Sequence, residues 1–399
     1  MHHLLHYLNL NVIGGVETLF AELMQERWMA ETVRHHVIAG TNIHPDLLPA
    51  IHQGTESIEY IKHLSSGVYI PRWLRGLRLL RCKSISRRLK PHAVLVWNAL
   101  DRRESLATAT HVDGPLIYME HGAAWDANRN RAAVFLKGVR RVICNSHASR
   151  RVIQERLGYT GSSVVCHNPL RPSIRAENVR PRTLPYTQPL RLGAAGRLIP
   201  LKGFILLPHV IAELLKQGID CELVLAGTGP EREAILNTAA RLGIEERVTM
   251  PGIIKDMGTF YQRVDIVIVP SIREPFGLVS IEAAAHGCPV IVSAVDGLPE
   301  TLLHGKTGFA LPPTEPIALL TRFGSGDYGI PDMVYDPHED RLTRPKFLSP
   351  KAISTTIIDL IGNGSYAHLS ANALKDVKER FSFAKYQEKA YSLVTELFQ

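Results

Sequence analysis

The sequence predicts an α/β protein built from two Rossmann-like, doubly wound domains. Its 399 residues exceed what a single hydrophobic core usually supports. Short β-branched runs alternate with helical patterns along most of the chain, as βαβ units on a parallel sheet require. A proline-rich stretch at 171–189 interrupts this alternation, which then restarts. We therefore expect domains at 1–170 and 190–382, joined by a linker at 171–189.

In the first domain, runs of β-branched and apolar residues favour strands, and the amphipathic stretches between them favour helices. The expected strands are Leu4–Leu8, His36–Ala39, Ala93–Trp97, Leu116–Met119 and Arg141–Asn145. The expected helices are Val16–Arg27, Arg72–Leu89 and Ser146–Leu157.

The second domain repeats this pattern after the linker. Its expected strands are Leu190–Ala194, Cys221–Ala226, Val248–Met250, Ile266–Val269 and Val290–Ser293. Its expected helices are Phe204–Lys216, Glu231–Leu242 and Val279–His286. Residues 313–347 are rich in Pro, Gly and Asp and predict an insertion or a mobile loop, and an amphipathic helix is expected around Phe383–Leu397.

Composition is that of an ordinary globular protein, with 45% hydrophobic and 21% charged residues. No apolar run reaches the roughly 18 residues of a membrane span, and the first residues lack the pattern of a secretory signal. The five cysteines are scattered without a C-x-x-C pair. This argues against a disulfide framework or zinc site and favours a reducing cytoplasm.

Positive charge is concentrated in the first half of the chain. Residues 1–186 hold 25 Lys and Arg against 14 Asp and Glu, whereas the remainder holds 21 against 24. Within this half, Arg72–Lys90 spaces arginines three apart with Trp and Leu between them, a basic amphipathic pattern that suits an anionic membrane surface. The alternative is a core helix with a charged outer face. Nucleic acid is not expected, because no known binding motif or aromatic interleaving accompanies the charge.

Two glycine-containing loops are candidates for binding phosphate. Gly14-Gly15 follows the first strand and opens a helix, where backbone N–H groups can approach a phosphate or sugar, although a plain tight turn would look the same. Gly196–Gly203 follows the second domain's first strand and carries Arg197 and Lys202, which can bind phosphate oxygens. The alternative for this loop is a solvated basic turn.

The segment from Pro270 to Glu282 carries the strongest signal. It runs from the end of a strand through Glu274, Pro275, Phe276 and Gly277 into a helix. The N–H groups of Leu278 and Val279 at the helix start favour an anion. Glu282 on the helix can accept hydrogen bonds from ribose hydroxyls, and Glu274 in the loop can reach a sugar. Two other motifs are rejected: Gly227-Thr228-Gly229 lacks the third glycine of a dinucleotide fingerprint, and Gly305-Lys306-Thr307 lacks the first glycine of a P-loop.

These residues give the chain a resemblance to glycosyltransferase family 4 of the glycosyl transferases group 1, which are retaining enzymes with the GT-B fold. The motifs are Gly14-Gly15, the Gly-Arg-Leu…Lys-Gly loop beginning at Gly196, and the Glu-x(7)-Glu pattern from Glu274 to Glu282. Further matches are Asn168-Pro169, Gly227–Pro230, Pro251-Gly252 and Gly297–Glu300. The likeness covers residues 4–311 and 350–399. It implies two domains facing a central cleft, with a C-terminal helix at 383–399 that returns to the first domain.

The resemblance also implies roles for individual residues. Arg197 and Lys202 would neutralise the donor diphosphate together with the N–H groups of Leu278 and Val279. Glu282 would hold the ribose, and Glu274 would contact the transferred sugar. Gly15 would let the first domain approach the diphosphate, and His121 would lie near the sugar, although a histidine after a strand is often structural. Glu120 beside it is read as a neighbour. The donor-binding set is completed by Gly14, Gly252, Phe276 and Gly277.

The expected activity is transfer of a hexose or N-acetylhexosamine from a nucleotide sugar, UDP favoured over GDP, to a lipopolysaccharide, capsule or lipid-linked glycan. The resemblance implies front-face reaction without an obligatory protein base, and the lack of an Asp-x-Asp motif predicts that no metal is required. The expected location is the cytoplasm, peripheral at the inner face of the membrane. The alternatives are a UDP-sugar epimerase of this fold and a non-catalytic glycan- or nucleotide-binding protein.

Overall fold

The computed structural model describes residues 1–40, 42–63, 68–110, 112–174, 176, 178–184, 189–326 and 328–398. The chain divides into two compact units, Met1–Ser173 with Phe383–Gln399, and Ile174–Ser382. Each unit has a parallel sheet connected through helices. The predicted fold class, two Rossmann-like α/β domains, is confirmed.

The strands account for both sheets and two small antiparallel pairs. They are β1 His2–Leu8, β2 Val33–Ala39, β3 Ser57–Tyr60, β4 Ala93–Trp97, β5 Leu116–Glu120, β6 Val139–Cys144, β7 Ser163–Val165, β8 Leu190–Ala195, β9 Cys221–Ala226, β10 Val248–Gly252, β11 Ile266–Val269, β12 Val290–Ser293, β13 Gly308–Leu311, β14 Glu315–Pro316, β15 Val334–Asp336, β16 Arg341–Thr343 and β17 Lys346–Phe347.

Helices connect the strands and end the chain. They are α1 Gly15–Gln25, α2 Leu48–Gly54, α3 Arg75–Leu89, α4 Arg103–Ala109, α5 Arg129–Leu136, α6 His147–Leu157, α7 Leu207–Lys216, α8 Arg232–Arg241, α9 Met257–Arg263, α10 Leu278–Ala285, α11 Pro350–Gly362, α12 Tyr366–Arg380 and α13 Phe383–Thr395. In the part of the chain that the structure describes, no helix combines the length and apolarity needed to cross a bilayer.

The first unit is a seven-stranded sheet in the order β3-β2-β1-β4-β5-β6-β7. The last helix of the chain, α13, belongs to this unit because Tyr386, Ala390 and Val394, spaced four residues apart, are buried in the same core as α1. Two hydrogen bonds fix it: Trp28 Nε1 donates to the carbonyl of Gln387 at 3.1 Å, and Arg141 donates to that of Leu393 at 2.7 Å.

The second unit is a six-stranded sheet in the order β10-β9-β8-β11-β12-β13. Its strand order reverses between β8 and β11, and ligands of doubly wound sheets bind beyond the carboxyl ends of the strands at such a point. The loops that follow these two strands carry Arg197 with Lys202, and Glu274. The fold therefore places these side chains at the position where a ligand is expected.

Residues 313–347 contain regular structure. Strand β14 pairs with β17 in antiparallel register, Glu315 opposite Phe347, and β15 pairs with β16 in a hairpin. The alternative of a mobile loop therefore does not describe the paired strands. The helix expected over Arg72–Leu89 begins as a 3-10 turn at Arg72–Leu74 and becomes α-helical from Arg75.

A chain of three hydrogen bonds, each with a defined donor, links buried side chains in the first unit. Trp97 Nε1 lies 3.1 Å from His6 Nδ1, His6 Nε2 lies 2.9 Å from His35 Nδ1, and His35 Nε2 lies 2.7 Å from the carbonyl of Trp28. An indole N–H can only donate, so His6 accepts at Nδ1 and donates at Nε2, and His35 does the same in turn. Both rings are neutral in this arrangement. Burial accordingly lowers the pKa of His6 and brings the pKa of His35 to about 4.

We expect the protein to lose stability as the pH falls from 6.5 towards 4. In this window an unfolded histidine binds a proton whereas folded His35 does not, so acid favours the unfolded chain. At pH 5 the loss from His35 alone is on the order of 2 kcal/mol. Thermal melting at pH 7 and pH 5 measures it. The variant His35→Gln keeps a donor and an acceptor but cannot titrate, so its pH-dependent loss should be smaller; an equal loss would contradict the assignment.

Candidate functional site

The loops that follow β8 and β11 are closely packed against each other. Gly203 has φ +65°, and a Cβ at this position would lie 2.3 Å from the carbonyl oxygen of Pro270. Only glycine fits this conformation and this contact. The N–H of Ile272 donates to the carbonyl of Leu201 at 2.9 Å. The two loops therefore form one surface that carries both the basic motif and Glu274.

An ion pair joins these loops. Lys202 Nζ donates to Glu274 Oε2, and both side chains are mostly shielded from solvent. The sequence assigned Lys202 to a diphosphate and Glu274 to a sugar, and the structure brings the two together. Low exposure strengthens such a pair and holds both groups in one geometry. The arrangement keeps a cation and a carboxylate side by side at the carboxyl edge of the sheet.

The backbone of Glu274 is held by Asp296, a residue that the sequence analysis did not identify. Asp296 Oδ2 accepts from the N–H of Glu274 at 3.0 Å, and Oδ1 accepts from the N–H of Tyr335 at 2.7 Å. Its own N–H donates to the carbonyl of Tyr335 at 2.9 Å. Asp296 is fully buried with φ +47°. Its carboxylate therefore ties the Glu274 loop to β15, within the segment predicted as an insertion.

Helix α10 begins immediately after this loop. Gly277 precedes it with φ +107°, and a Cβ there would meet the Leu298 side chain at 2.5 Å. The turn that leads into the helix thus depends on glycine. The first-turn N–H groups of Leu278 and Val279 form the positive end of the helix, which favours an anion. Phe276 is buried against Phe381 with ring centroids 5.8 Å apart, so its ring belongs to the core.

Glu282 lies further along α10 and is only 4% exposed. Tyr261 Oη donates to its Oε2 at 2.9 Å. This hydrogen bond orients the carboxylate that the resemblance assigns to a ribose. Sequence reasoning located Glu282 from its spacing but not its orienting partner, because Tyr261 lies on another helix, α9.

Three further glycines, Gly227, Gly229 and Gly252, support the Arg197 loop. A Cβ at Gly227 would lie 1.8 Å from the carbonyl oxygen of Gly196, and one at Gly229 would lie 2.4 Å from that of Leu198. Gly252 accepts a hydrogen bond from the N–H of Gly227 at 2.7 Å. The glycines of Gly-Thr-Gly therefore serve close packing of two loops, which is consistent with the rejection of a dinucleotide fingerprint. Arg197 itself remains exposed on this loop.

In the first unit, His121 follows β5 and stacks on Trp97 with ring centroids 5.7 Å apart. Burial lowers the pKa of His121 to about 4, so the ring is neutral at pH 7. Asn98 accepts from the N–H groups of His121 and Ala123 at 3.2 and 2.8 Å. The histidine is thus held by packing and by its backbone.

Glu120 organises the turn that carries His121. Its Oε1 accepts from the N–H groups of Gly122 and Ala124 at 2.5 and 3.1 Å, and Tyr118 Oη donates to its Oε2 at 2.7 Å. The carboxyl is fully buried, and burial raises its pKa. Glu120, taken from the sequence as a neighbour of His121, therefore holds the turn that carries this histidine.

The glycine pair near the chain start opens α1. Gly14 precedes the helix in an extended conformation, and Gly15 is its first residue. Glu17 lies in the first turn, and burial raises the pKa of its carboxyl. The helix start that the sequence predicted is present, one residue earlier than expected.

The basic segment Arg72–Lys90 does not present all of its arginines to solvent, as an amphipathic helix with one basic face would. Arg78 is buried and donates to the carbonyl of Ile70 from Nε and Nη2 at 3.1 and 2.5 Å. Arg81 donates to the carbonyl of Tyr60 at 3.0 Å and pairs with Glu59 at 3.2 Å. These two arginines therefore hold the unit together and do not form part of a solvent-facing basic stripe.

The sequence similarity to known proteins lies mainly in the second unit. Residues 176–323 match the family model of glycosyl transferases group 1. This stretch is therefore similar to glycosyl transferases group 1. The chain is similar to the D-inositol 3-phosphate glycosyltransferase of Corynebacterium efficiens, with 38% identity over 129 residues that cover 30% of each chain. It is also similar to an uncharacterized glycosyltransferase of Methanocaldococcus jannaschii, with 35% identity over 123 residues, 30% of this chain and 31% of the relative. The chain thus matches about a third of the length of these curated relatives.

Solved structures extend the similarity of fold to the whole chain. The Anabaena protein HepE in complex with UDP covers 100% of both chains with a TM-score of 0.75 and 19% identity. The apo form of the lipopolysaccharide outer core galactosyltransferase WaaB covers 99% of both chains with a TM-score of 0.71 and 16% identity. At this level of identity the likeness concerns the fold, which is that of two Rossmann-like α/β units.

Proposed function

We propose that the protein is a retaining glycosyltransferase. It moves a hexose or N-acetylhexosamine from a nucleotide sugar, UDP favoured over GDP, to a lipopolysaccharide, capsule or lipid-linked glycan. The observation that carries the proposal is the Lys202–Glu274 pair beside the start of α10, at the switch point of a unit similar to glycosyl transferases group 1. Support comes from HepE, which binds UDP and UDP-glucose, and from WaaB, a lipopolysaccharide galactosyltransferase.

The site's charges match the reaction. The bond between the anomeric carbon and the phosphate oxygen breaks, and the electron pair leaves with the nucleoside diphosphate. Arg197, Lys202 and the N-terminus of α10 stabilise that growing negative charge. A new bond forms from the acceptor oxygen to the same face of the sugar, and the leaving phosphate takes the acceptor's proton. Glu274 stabilises the electron-poor sugar carbon, and Glu282 holds the ribose.

The test is donor turnover with a panel of UDP- and GDP-sugars, first with water and then with glycolipid acceptors. Transfer with retained anomeric configuration, followed by NMR of the product, is the expected result. Interconversion of free sugar nucleotides without transfer would indicate an epimerase. Binding of nucleotide without any turnover would indicate a non-catalytic protein.

We expect activity to survive excess EDTA. The diphosphate is balanced by side-chain cations and a helix N-terminus, which take the place of a bound metal. Turnover is measured with and without the chelator in metal-free buffer. Complete loss that Mn²⁺ or Mg²⁺ restores would overturn this account of the diphosphate site.

We also propose that the protein works in the cytoplasm at the inner face of the membrane and docks through Arg72–Lys90. Because Arg78 and Arg81 stabilise the fold, the test reverses the exposed charges Arg75 and Arg87 to Glu. Sedimentation with anionic vesicles should weaken in this variant and weaken further as salt rises.

A control for this experiment is the double variant Lys375→Glu and Lys378→Glu, which makes the same change in charge at exposed positions of α12 in the second unit. It should bind vesicles like the wild type. If the two double variants sediment alike, Arg72–Lys90 is not the docking element.

A further inference from the structure

A groove of about 710 Å³ lies in the first unit among α3, α4 and α5. Its walls are largely apolar. The apolar side chains that line it come from all three helices and are Leu79, Leu80, Leu106, Ala107, Val134 and Phe135. None of the residues that line the groove belongs to the donor site or to the His121 turn. The groove is therefore separate from the residues assigned to the reaction.

The groove continues into an exposed apolar strip along α3. Leu80 is 60% exposed and Val134 53% exposed on opposite walls. Leu77, three residues before Leu80 and therefore on the same face of the helix, is also exposed, and Trp73 on the preceding turn is 80% exposed. Single exposed apolar residues are common in globular proteins, but a contiguous strip that leads into a groove marks a binding surface.

The rim of the groove is cationic. Lys83, Arg102, Arg103 and Arg131 line it. Among the described residues that line the groove, the only acid is Asp101, which pairs with Arg131 at 3.6 Å. The lining thus combines apolar side chains with an excess of positive charge. An apolar protein partner would not require this charge, and a nucleic acid would not require the apolar side chains.

The position of the groove relates it to the acceptor. Helix α4 follows strand β4 and helix α5 follows β5, so both helices begin at the carboxyl edge of the sheet. Arg103, the first residue of α4, lies at that edge. His121 follows β5 and lies at the same edge. A molecule whose tail occupies the groove would therefore have its head on the side of the unit that carries His121.

We propose that this groove binds the lipid anchor of the acceptor, with a hydrocarbon chain against the apolar walls and an anionic phosphate at the rim arginines. The inference rests on the proposed function and specifies the acceptor as a membrane lipid phosphate carrying the glycan. Trp73, Leu77 and Leu80 enter the membrane surface and lead the chain into the groove. The cations select a phosphate-bearing lipid over a neutral one.

The probe is dodecyl phosphate below its micelle concentration, titrated into the full chain without donor and followed calorimetrically. Two control ligands are titrated in the same way. Inorganic phosphate has the charged group of dodecyl phosphate but no hydrocarbon chain, and dodecyl maltoside has the same hydrocarbon chain but no charge. We expect the wild type to bind dodecyl phosphate on the order of tenfold or more tighter than either, because burying a chain removes apolar surface from water and the arginines add a charged contact.

Two matched variants locate the site. Leu80→Glu puts a charge on the groove wall and should weaken dodecyl phosphate binding on the order of tenfold or more. Leu236→Glu makes the same substitution at an exposed leucine on α8 of the second unit, outside the groove lining, and should bind like the wild type. Arg103→Gln should weaken binding of dodecyl phosphate but not of dodecyl maltoside. Melting temperatures confirm that each variant is folded.

Three outcomes would overturn the proposal: equal affinity for dodecyl phosphate and inorganic phosphate, equal affinity for dodecyl phosphate and dodecyl maltoside, or indistinguishable binding by Leu80→Glu and Leu236→Glu. The measurement uses no nucleotide sugar, so its failure leaves the transferase proposal standing. Conversely, absence of donor turnover with every acceptor would refute the transferase proposal without changing the amphiphile affinities.

Discussion

Replacing Lys202 with alanine is expected to lower turnover about a hundredfold, the cost of on the order of 3 kcal/mol that follows removal of one preorganised charge donor. Arg197→Ala should approach the same loss. The help of both cations grows as the diphosphate leaves, so turnover should fall more than donor affinity. Glu282→Ala should differ and weaken nucleotide binding, because ribose contacts are present before and during the reaction.

The ion pair with Glu274 requires a control for this experiment. Lys202→Ala leaves a shielded carboxylate without its cation, which can destabilise the protein by itself. The double variant Lys202→Ala with Glu274→Gln removes that charge and should recover melting temperature but not turnover. Lys216→Ala is the matched control for loss of one cation, because Lys216 is exposed at the C-terminal end of α7, the end away from Lys202. Near wild-type turnover in Arg197→Ala and Lys202→Ala would refute the phosphate role.

Periodicity and local motifs predicted much of the fold and the donor loops. The runs at β8, β11 and β12 are apolar because parallel strands are buried on both faces, which is a strong local signal. The glycines at 203 and 277 occupy conformations that only glycine adopts freely, so the sequence marked those turns directly.

The residues that the sequence did not reveal act through distant partners. Arg78 has the spacing of a surface arginine, but the preceding chain turns back so that the carbonyl of Ile70 accepts from its guanidinium. Glu120 gains its role only when the next four residues curl around its carboxylate. Such roles depend on where the backbone goes after the residue, which neither periodicity nor a motif encodes.

For Asp296, the sequence predicts the turn but not the contacts that the turn makes. The Asp-Gly pair after β12 is a turn signal, and aspartate is among the residues that tolerate φ near +47°. What the turn does could not be predicted, because its partner Tyr335 lies 39 residues away in a segment with no apolar periodicity. The bridge from Tyr335 through Asp296 to Glu274 links the 313–347 segment to the proposed donor site.

Asp296→Gly is therefore expected to impair turnover although the residue touches neither phosphate nor sugar in the proposed mechanism. Glycine tolerates the φ of +47°, so the change removes the side chain without straining the folded backbone. The N–H of Tyr335, at a buried position, and that of Glu274, at a part-buried one, then lose their acceptor; a buried unsatisfied N–H costs about 1–3 kcal/mol in the free energy of unfolding.

Glu274 then keeps the hydrogen bond from the Gly297 N–H to its carbonyl but loses the one that held its own N–H, so its position near the sugar is less tightly fixed. A misplacement of about 1 Å can cost a hundredfold in rate. We expect turnover to fall at least tenfold while nucleotide affinity changes little, because Glu282 and the start of α10 are unaltered. Asp296→Asn keeps one acceptor oxygen and tolerates the same φ, so it should retain intermediate turnover. Tyr335→Phe keeps the backbone groups and is the matched control. Turnover, donor KM and melting temperature are measured for all three variants. If Asp296→Gly melts early yet turns over like the wild type at a temperature where it is folded, Asp296 stabilises the unit without positioning Glu274.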